Sequence, residues 1–234
     1  MLACAAMTIG AAAQDQSDIS PLQLGLQGGV GYMTTTGSLN DDFGGAVNFT
    51  AGLTADYKRL RLKADFAFGQ PKFNNPNLYG IKDPESGRDL QITGNSTASQ
   101  VSLGVQLGYK VWQKGRLSIT PAAGLFYTRY SFGLNDIKWE KDKEDKYYFL
   151  IQSSHDVSLG NTSWMASIDV DYRLGSRITK EPFFLNQRYS RLSTYVRVTP
   201  WVAGGNYKSV NPAVKGLYTG VTVRLTGFMQ SLGF

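Results

Sequence analysis

Between Ala46 and Gly69 the chain alternates. Val47, Phe49, Ala51, Leu53, Ala55 and Tyr57 take every second position, Lys58 and Arg59 interrupt, and apolar residues resume at Leu60, Leu62, Ala64, Phe66 and Phe68. The positions between carry Asn48, Thr50, Thr54, Asp56, Arg61, Lys63 and Asp65. A period of two is the signature of a strand, because successive side chains point to opposite faces. The stretch therefore reads as a hairpin with one apolar face and one charged face. Two settings produce such a hairpin: a soluble sheet with its core on one side, or a barrel with lipid outside and a polar lumen inside.

The same alternation recurs over 22–34, 101–111, 117–127, 164–174, 194–204 and 217–229. With the two strands of the first hairpin, eight amphipathic runs follow one another and no helical period intervenes. Most are ten residues or longer, against an ordinary strand of about 5–6 and about 9–11 for a tilted membrane strand. The pattern predicts an all-β, eight-stranded antiparallel up-and-down transmembrane barrel with extended extracellular hairpins, ten strands being the alternative. The connections support this by their rhythm. Those at 35–44, about 70–98, about 131–157 and 205–216 are long, whereas Lys58-Arg59 and Gln113-Lys114-Gly115-Arg116 are tight turns, as expected for short periplasmic turns and long external loops. "DPESG" and "KDKED" mark hairpin tips within 70–98 and 131–157. The connection 175–191, with Pro182, Phe183 and Phe184, is too long for this rhythm, and the last strand is expected to end near Met229.

Aromatic residues gather at strand ends. Tyr57, Tyr109, Trp112 and Tyr172 fall at the inner ends, and Tyr32, Phe66, Phe68, Tyr127, Trp164 and Tyr207 at the outer ends. Two such belts suit the headgroup levels of a bilayer. On the opposite parity lie Asp56, Arg61, Lys63, Asp65, Lys110, Asp169, Asp171, Arg173, Arg197 and Arg224. An eight-stranded barrel has an interior that side chains fill, so these charges are expected to pair in a network that holds the lumen shut. On the same logic Leu53→Arg, on the lipid face, should block assembly, and Thr54→Arg should be milder.

Composition narrows the picture without changing it. Only 42% of the 234 residues are hydrophobic, which excludes a bundle of membrane helices and leaves room for strands that are half apolar. The formal net charge is +6, but the Lys and Arg are dispersed, with no basic patch of the kind that binds nucleic acid. The start, "MLACAAMTIGAAAQ", reads as a signal peptide over 1–13, with Ala-x-Ala before Gln14 and the barrel domain over 14–234. Cys4, the only cysteine, lies in that segment behind Leu2-Ala3, a faint lipoprotein box.

The signal segment, the eight alternating runs, the long-short rhythm and the terminal Phe234 together resemble the small outer-membrane β-barrel families of Gram-negative bacteria. The OmpX and OmpA transmembrane type is the nearest kind, and "AAAQ" is similar to small barrels of the Bacteroidota. The resemblance implies an outer-membrane location, contact with membrane lipid and lipopolysaccharide, and a protein or surface ligand at loops 70–98 and 131–157.

Chemistry is sparse. The single histidine, His155, stands in "QSSHDVS". Ser154 and Asp156 are its neighbours, but adjacent strand residues point apart and do not converge as a triad. Nothing has the spacing of a metal cluster, phosphate loop or dinucleotide fingerprint, and no cofactor is expected. The leading expectation is a non-enzymatic barrel with structural, adhesion or partner-binding roles. The alternatives are a narrow porin or small-solute channel, an outer-membrane lipid or peptide hydrolase built on His155, and a soluble lipocalin-like barrel with the apolar face inward.

Overall fold

The computed structural model describes residues 21–72, 98–141, 143–144, 147–180, 189–207 and 214–232. Its strands are β1 (Leu22–Thr35), β2 (Ala46–Tyr57), β3 (Leu60–Gly69), β4 (Ser99–Tyr109), β5 (Trp112–Lys114), β6 (Leu117–Lys141), β7 (Tyr147–Lys180), β8 (Tyr189–Tyr207) and β9 (Val214–Leu232). One short helix, α1 (Ser38–Asp42), lies between β1 and β2. All pairings are antiparallel. They run β4-β3-β2-β1-β9-β8-β7-β6, and the β4–β6 ladder closes the ring. The wall therefore has eight strands, and β5 is a three-residue continuation of the β4 edge along β6. The ten-strand alternative is not what forms.

Side-chain parity follows the sequence pattern. Leu26 is 70% exposed and Leu53 60%, both on the outer face, and they are direct partners across β1 and β2. Their neighbours Gln27 and Thr54 are buried inside. The apolar face is thus the outside of the closed ring, and a lipocalin-like apolar cavity is ruled out by geometry.

Two expectations about strand length need correction, at the end of β9 and at 175–191, whereas the expected extension of the β6–β7 hairpin forms. β9 runs to Leu232 rather than stopping near Met229, because Gln230 keeps the inward parity of Arg224 and Thr226, where a polar residue belongs. The 175–191 connection is largely strand. β7 continues to Lys180 and β8 begins at Tyr189, paired from Gly175–Thr194 to Lys180–Tyr189 after an irregularity between Arg173 and Gly175. β6 and β7 remain paired as far as Lys141–Tyr147, with a register shift between Asp136 and Ile137. About ten rungs beyond Ser131–Ser158 make this hairpin project roughly 30 Å at a strand rise of about 3.3 Å per residue. Most of the loop 70–98 and the segment 1–20 lie outside the described residues, with the expected hairpin and signal peptide they contain.

The turn at the end of β5 rests on one backbone requirement. Gly115 has a φ of 59°, and a Cβ there would meet nothing within 4 Å. Substitution is strained only through the backbone. Gly115→Ala is expected to lower unfolding stability by about 1 kcal/mol without changing the fold, measured as a midpoint shift in denaturant.

Candidate functional site

The lumen holds the one concentrated array of ionic chemistry among the described residues. Alternation fixes who enters it: Asp56 on β2, Arg61, Lys63 and Asp65 on β3, Asp169 and Asp171 on β7, Arg197 on β8 and Arg224 on β9 all share the inward parity. Cross-strand register then brings them to one level, since Asp56 pairs with Arg61 and Asp171 with Arg197.

Arg61 is the hub. Its Nε and Nη2 donate to the two carboxylate oxygens of Asp56 at 2.7 and 2.8 Å, and its Nη1 reaches Asp171 at 2.7 Å and Asp169 at 3.2 Å. Lys63 Nζ donates to Asp169 at 2.7 Å and to Ser167 Oγ at 3.0 Å. Arg197 Nε donates to Asp171 at 2.6 Å and its Nη1 to Gln27 Oε1 at 2.7 Å. Thr199 adds a donor to Asp169 at 3.0 Å. Below the hub the ring of Phe228 lies 5.7 Å from the Arg61 guanidinium and 5.8 Å from that of Arg197, within reach of a cation–π attraction.

The signs balance where burial is deepest. Asp56, Asp169 and Asp171 face Arg61, Lys63 and Arg197, and none of these six is more than a few per cent exposed. Arg224 and Asp65 form a separate pair at 3.1 Å, one level toward the loop end, and Gln27 Nε2 bridges to Asp65 at 2.5 Å. The two surplus cations, Lys110 and Arg173, sit at the terminal end. Lys110 Nζ is 3.5 Å from Asp56, and Arg173 lines a small polar vestibule there with Tyr195 and Gln23. A neutral centre with excess charge only where water reaches it is the arrangement desolvation demands.

Thr54 belongs to this packed interior. It is 3% exposed, and its Cγ2 would stand 2.7 Å from a Cβ at Gly25. Thr54→Arg, expected to be milder than Leu53→Arg, carries a cost of its own: arginine there would overpack the lumen and add an unmatched cation.

A second layer, absent from the sequence expectations, closes the loop end. Met33, Leu39, Phe43, Phe126, Tyr130, Tyr207 and Tyr218 form a buried cluster inside the ring. Phe43 stacks on Tyr130 with centroids 4.0 Å apart and planes 10° apart. Tyr207 and Tyr218 share a hydroxyl hydrogen bond at 2.5 Å. The β1–β2 connection supplies the stopper: α1 tucks Leu39 and Phe43 into the mouth, and Ser38 Oγ and the Lys215 backbone exchange bonds of 3.0 and 2.9 Å that tie it to β9. Tyr207, expected in the outer girdle, is instead 1% exposed and part of this cap. Its parity matches Arg197 and Thr199, so it points inward. Of the other girdle residues, Tyr32, Tyr57, Phe66, Phe68, Tyr109, Trp112, Trp164 and Tyr172 are exposed on the outer face, and Tyr127 is half-buried.

The cap had a signal in the sequence. Along β6 the inward positions change from Ser118, Thr120, Ala122 and Gly124 to Phe126, Thr128, Tyr130 and Phe132, small and polar giving way to aromatic. Between the two layers a small mixed cavity is lined by Asn48, Asp65, Phe126, Met165, Trp201 and Arg224. His155 lies on the projecting part of β7, its backbone opposite Leu134, with Ser154 opposite Asn135 and Asp156 opposite Gly133. No group of three or more potential metal ligands occurs among the described residues.

No family model matches the chain, and no curated protein does. Among solved structures it is similar to Neisserial surface protein A, at 12% identity over 92% of this chain and 99% of that one, with a TM-score of 0.42. It is also similar to the outer-membrane protease OmpT from Escherichia coli, at 10% identity over 94% and 99%, with a TM-score of 0.37. A third likeness is to a mutant of the monoaromatic hydrocarbon channel TodX, at 7% identity over 91% and 90%, with a TM-score of 0.25.

Proposed function

We propose that the chain is a non-enzymatic barrel of the bacterial outer membrane whose lumen is a structural plug and whose working surface is its loop end. The observation that carries this reading is the inside-out polarity of a ring closed at two levels. Leucine, valine and phenylalanine face outward around the strands, while buried ion pairs and an aromatic cap fill the space inside. Exposed apolar surface on this scale is unfavourable in water and favourable against acyl chains. The aromatic residues at both rims of the outer face support a bilayer between them.

With the lumen filled, what remains among the described residues to act on the surroundings is the hairpin formed by the distal parts of β6 and β7. It offers a long two-stranded ribbon, which suits adhesion or the docking of a protein or surface ligand better than passage of a solute. Such a ribbon is separable from the barrel, because its backbone rungs lie beyond the strand levels that carry the lumen network. Replacing 134–155 by a two-residue turn is expected to leave heat-modifiable gel mobility unchanged and to abolish binding of expressing cells to their surface or partner. Retained binding by that truncated protein would count against the ribbon as the working element.

A further inference from the structure

The wall parts between β7 and β8. The two strands pair from Met165–Ala203 to Ser167–Trp201, skip the positions opposite Pro200 and Thr199, and resume at Val170–Val198. Proline has no N–H to give, so this ladder is weak at that point. Toward the loop end no rung follows Met165–Ala203. β7 continues instead along β6, from Trp164–Leu125 to Gly160–Arg129, and β8 along β9, from Gly204–Leu217 to Tyr207–Val214. Two strand edges face each other across a cleft of about 690 Å³. One recorded side-chain bond spans it, from Ser163 Oγ to the Gly204 carbonyl oxygen at 2.6 Å.

The lining crosses the thickness of the wall. Trp164 and Gly204 come from the outward parity, Asn161, Ser163 and Gly205 from the inward one, with Lys215 at the rim. The inner side is stopped: a Cβ at Gly205 would stand 2.8 Å from Leu39 Cδ2 and 2.9 Å from Tyr218 Cε2. The cleft therefore opens to the outside of the barrel, not into the lumen.

Its polar chemistry is one-sided. Asn161 is 8% exposed, and its Nδ2 has no hydrogen-bond partner among the described residues. A buried amide donor left unmatched is costly, and a ligand acceptor placed there recovers that cost. Lys215 adds a cation, and no carboxylate is among the lining residues. Trp164, half exposed in the loop-end girdle, puts the cleft at headgroup depth.

We propose that this β7–β8 cleft binds the phosphate of an anionic lipid headgroup in the surrounding leaflet, for which phosphatidylglycerol serves as the probe. Asn161 Nδ2 and Lys215 Nζ hold the phosphate, and the acyl chains run down the apolar outer face. The inference rests on the membrane reading above. The polar and cationic lining favours a phosphate over an uncharged guest, and the outward opening favours a lipid over a solute from the lumen.

The test uses the full chain reconstituted in nanodiscs holding equal phosphatidylglycerol and phosphatidylcholine, then released for native mass spectrometry. The parent is expected to retain phosphatidylglycerol in preference to phosphatidylcholine. Asn161→Leu and Lys215→Gln should each reduce that retention about tenfold, the scale of one hydrogen bond to a charged group. Lys58→Gln, in the turn at the opposite end, should leave it unchanged. Equal retention of the two lipids, or retention insensitive to Asn161→Leu, would overturn the proposal. Displacement of the lipid by a large excess of inorganic phosphate would also overturn it, in favour of a free-anion site. Heat-modifiable mobility of the same samples keeps the two claims apart: a parent that never enters the bilayer counts against the membrane reading instead.

Discussion

Replacing Asp169 by asparagine is expected to lower the unfolding free energy by about 3–5 kcal/mol, the scale for breaking a buried ion pair from one side. Asp169 is fully buried, and it is the carboxylate that holds Lys63, at 2.7 Å. It also accepts from Arg61 and Thr199. Asparagine keeps the shape and loses the charge, so the deep cluster goes from balanced to carrying one unmatched cation. Water does not reach Lys63 to compensate, and desolvation of an unpaired ammonium dominates. Arg197→Ala is expected to act in the same direction more weakly, because Asp171 would retain Arg61 at 2.7 Å. Arg173→Ala should cost much less, since that side chain sits in the vestibule at the terminal end. Unfolding midpoints in denaturant for the three variants test this ranking. An Asp169→Asn barrel as stable as the parent would mean the network contributes nothing to closure.

The second large effect is on the outer face. Leu53→Arg is expected to prevent stable insertion, because arginine facing lipid near mid-bilayer costs about 2–4 kcal/mol. Leu53 lies mid-strand on β2, with Leu26 on β1 and Ala64 on β3 as its cross-strand neighbours. No carboxylate stands on that face beside it to offset the charge. Leu53→Met, which keeps the apolar character, should insert like the parent. The readout is the folded fraction by heat-modifiable mobility after refolding into phosphatidylcholine bilayers. Equal folding of the arginine variant would mean that this face does not meet lipid.

Much of this was legible in the sequence, for a physical reason. Period-two alternation assigns a face to every residue of a strand once the face of one is known. Asp56, Arg61, Asp169, Asp171 and Arg197 could therefore be placed inside before their partners were known. What parity does not carry is height. Cross-strand register decides that Arg61 meets Asp171 across the barrel and that Arg173 stays in the vestibule, and register depends on turn and bulge geometry that single positions do not declare. Tyr207 was misplaced because an aromatic at a strand end suits a girdle and a cap equally well, and only its parity with Arg197 separates them. The α1 stopper was hidden in a loop, since five residues show no helical period. The β7–β8 cleft is a property of two strands diverging, to which Pro200 is the one local pointer. The projecting ribbon was legible from its tip, since "KDKED" stands between two strand-forming runs, while its register shift between Asp136 and Ile137 was not.

The central claim is that the ring is closed by what it contains, and planar-bilayer recording tests it most directly. The measurement is single-channel current from the purified, refolded full chain, with heat-modifiable mobility confirming that the same sample is folded. Eight strands leave an interior that side chains fill, and here the filling is an ion-pair layer beneath an aromatic cap. The expected result is no steady open-channel current. A steady ohmic current through the folded parent, with an ion selectivity that Arg197→Ala alters while the unfolding midpoint stays put, would contradict the account and make the lumen a pore.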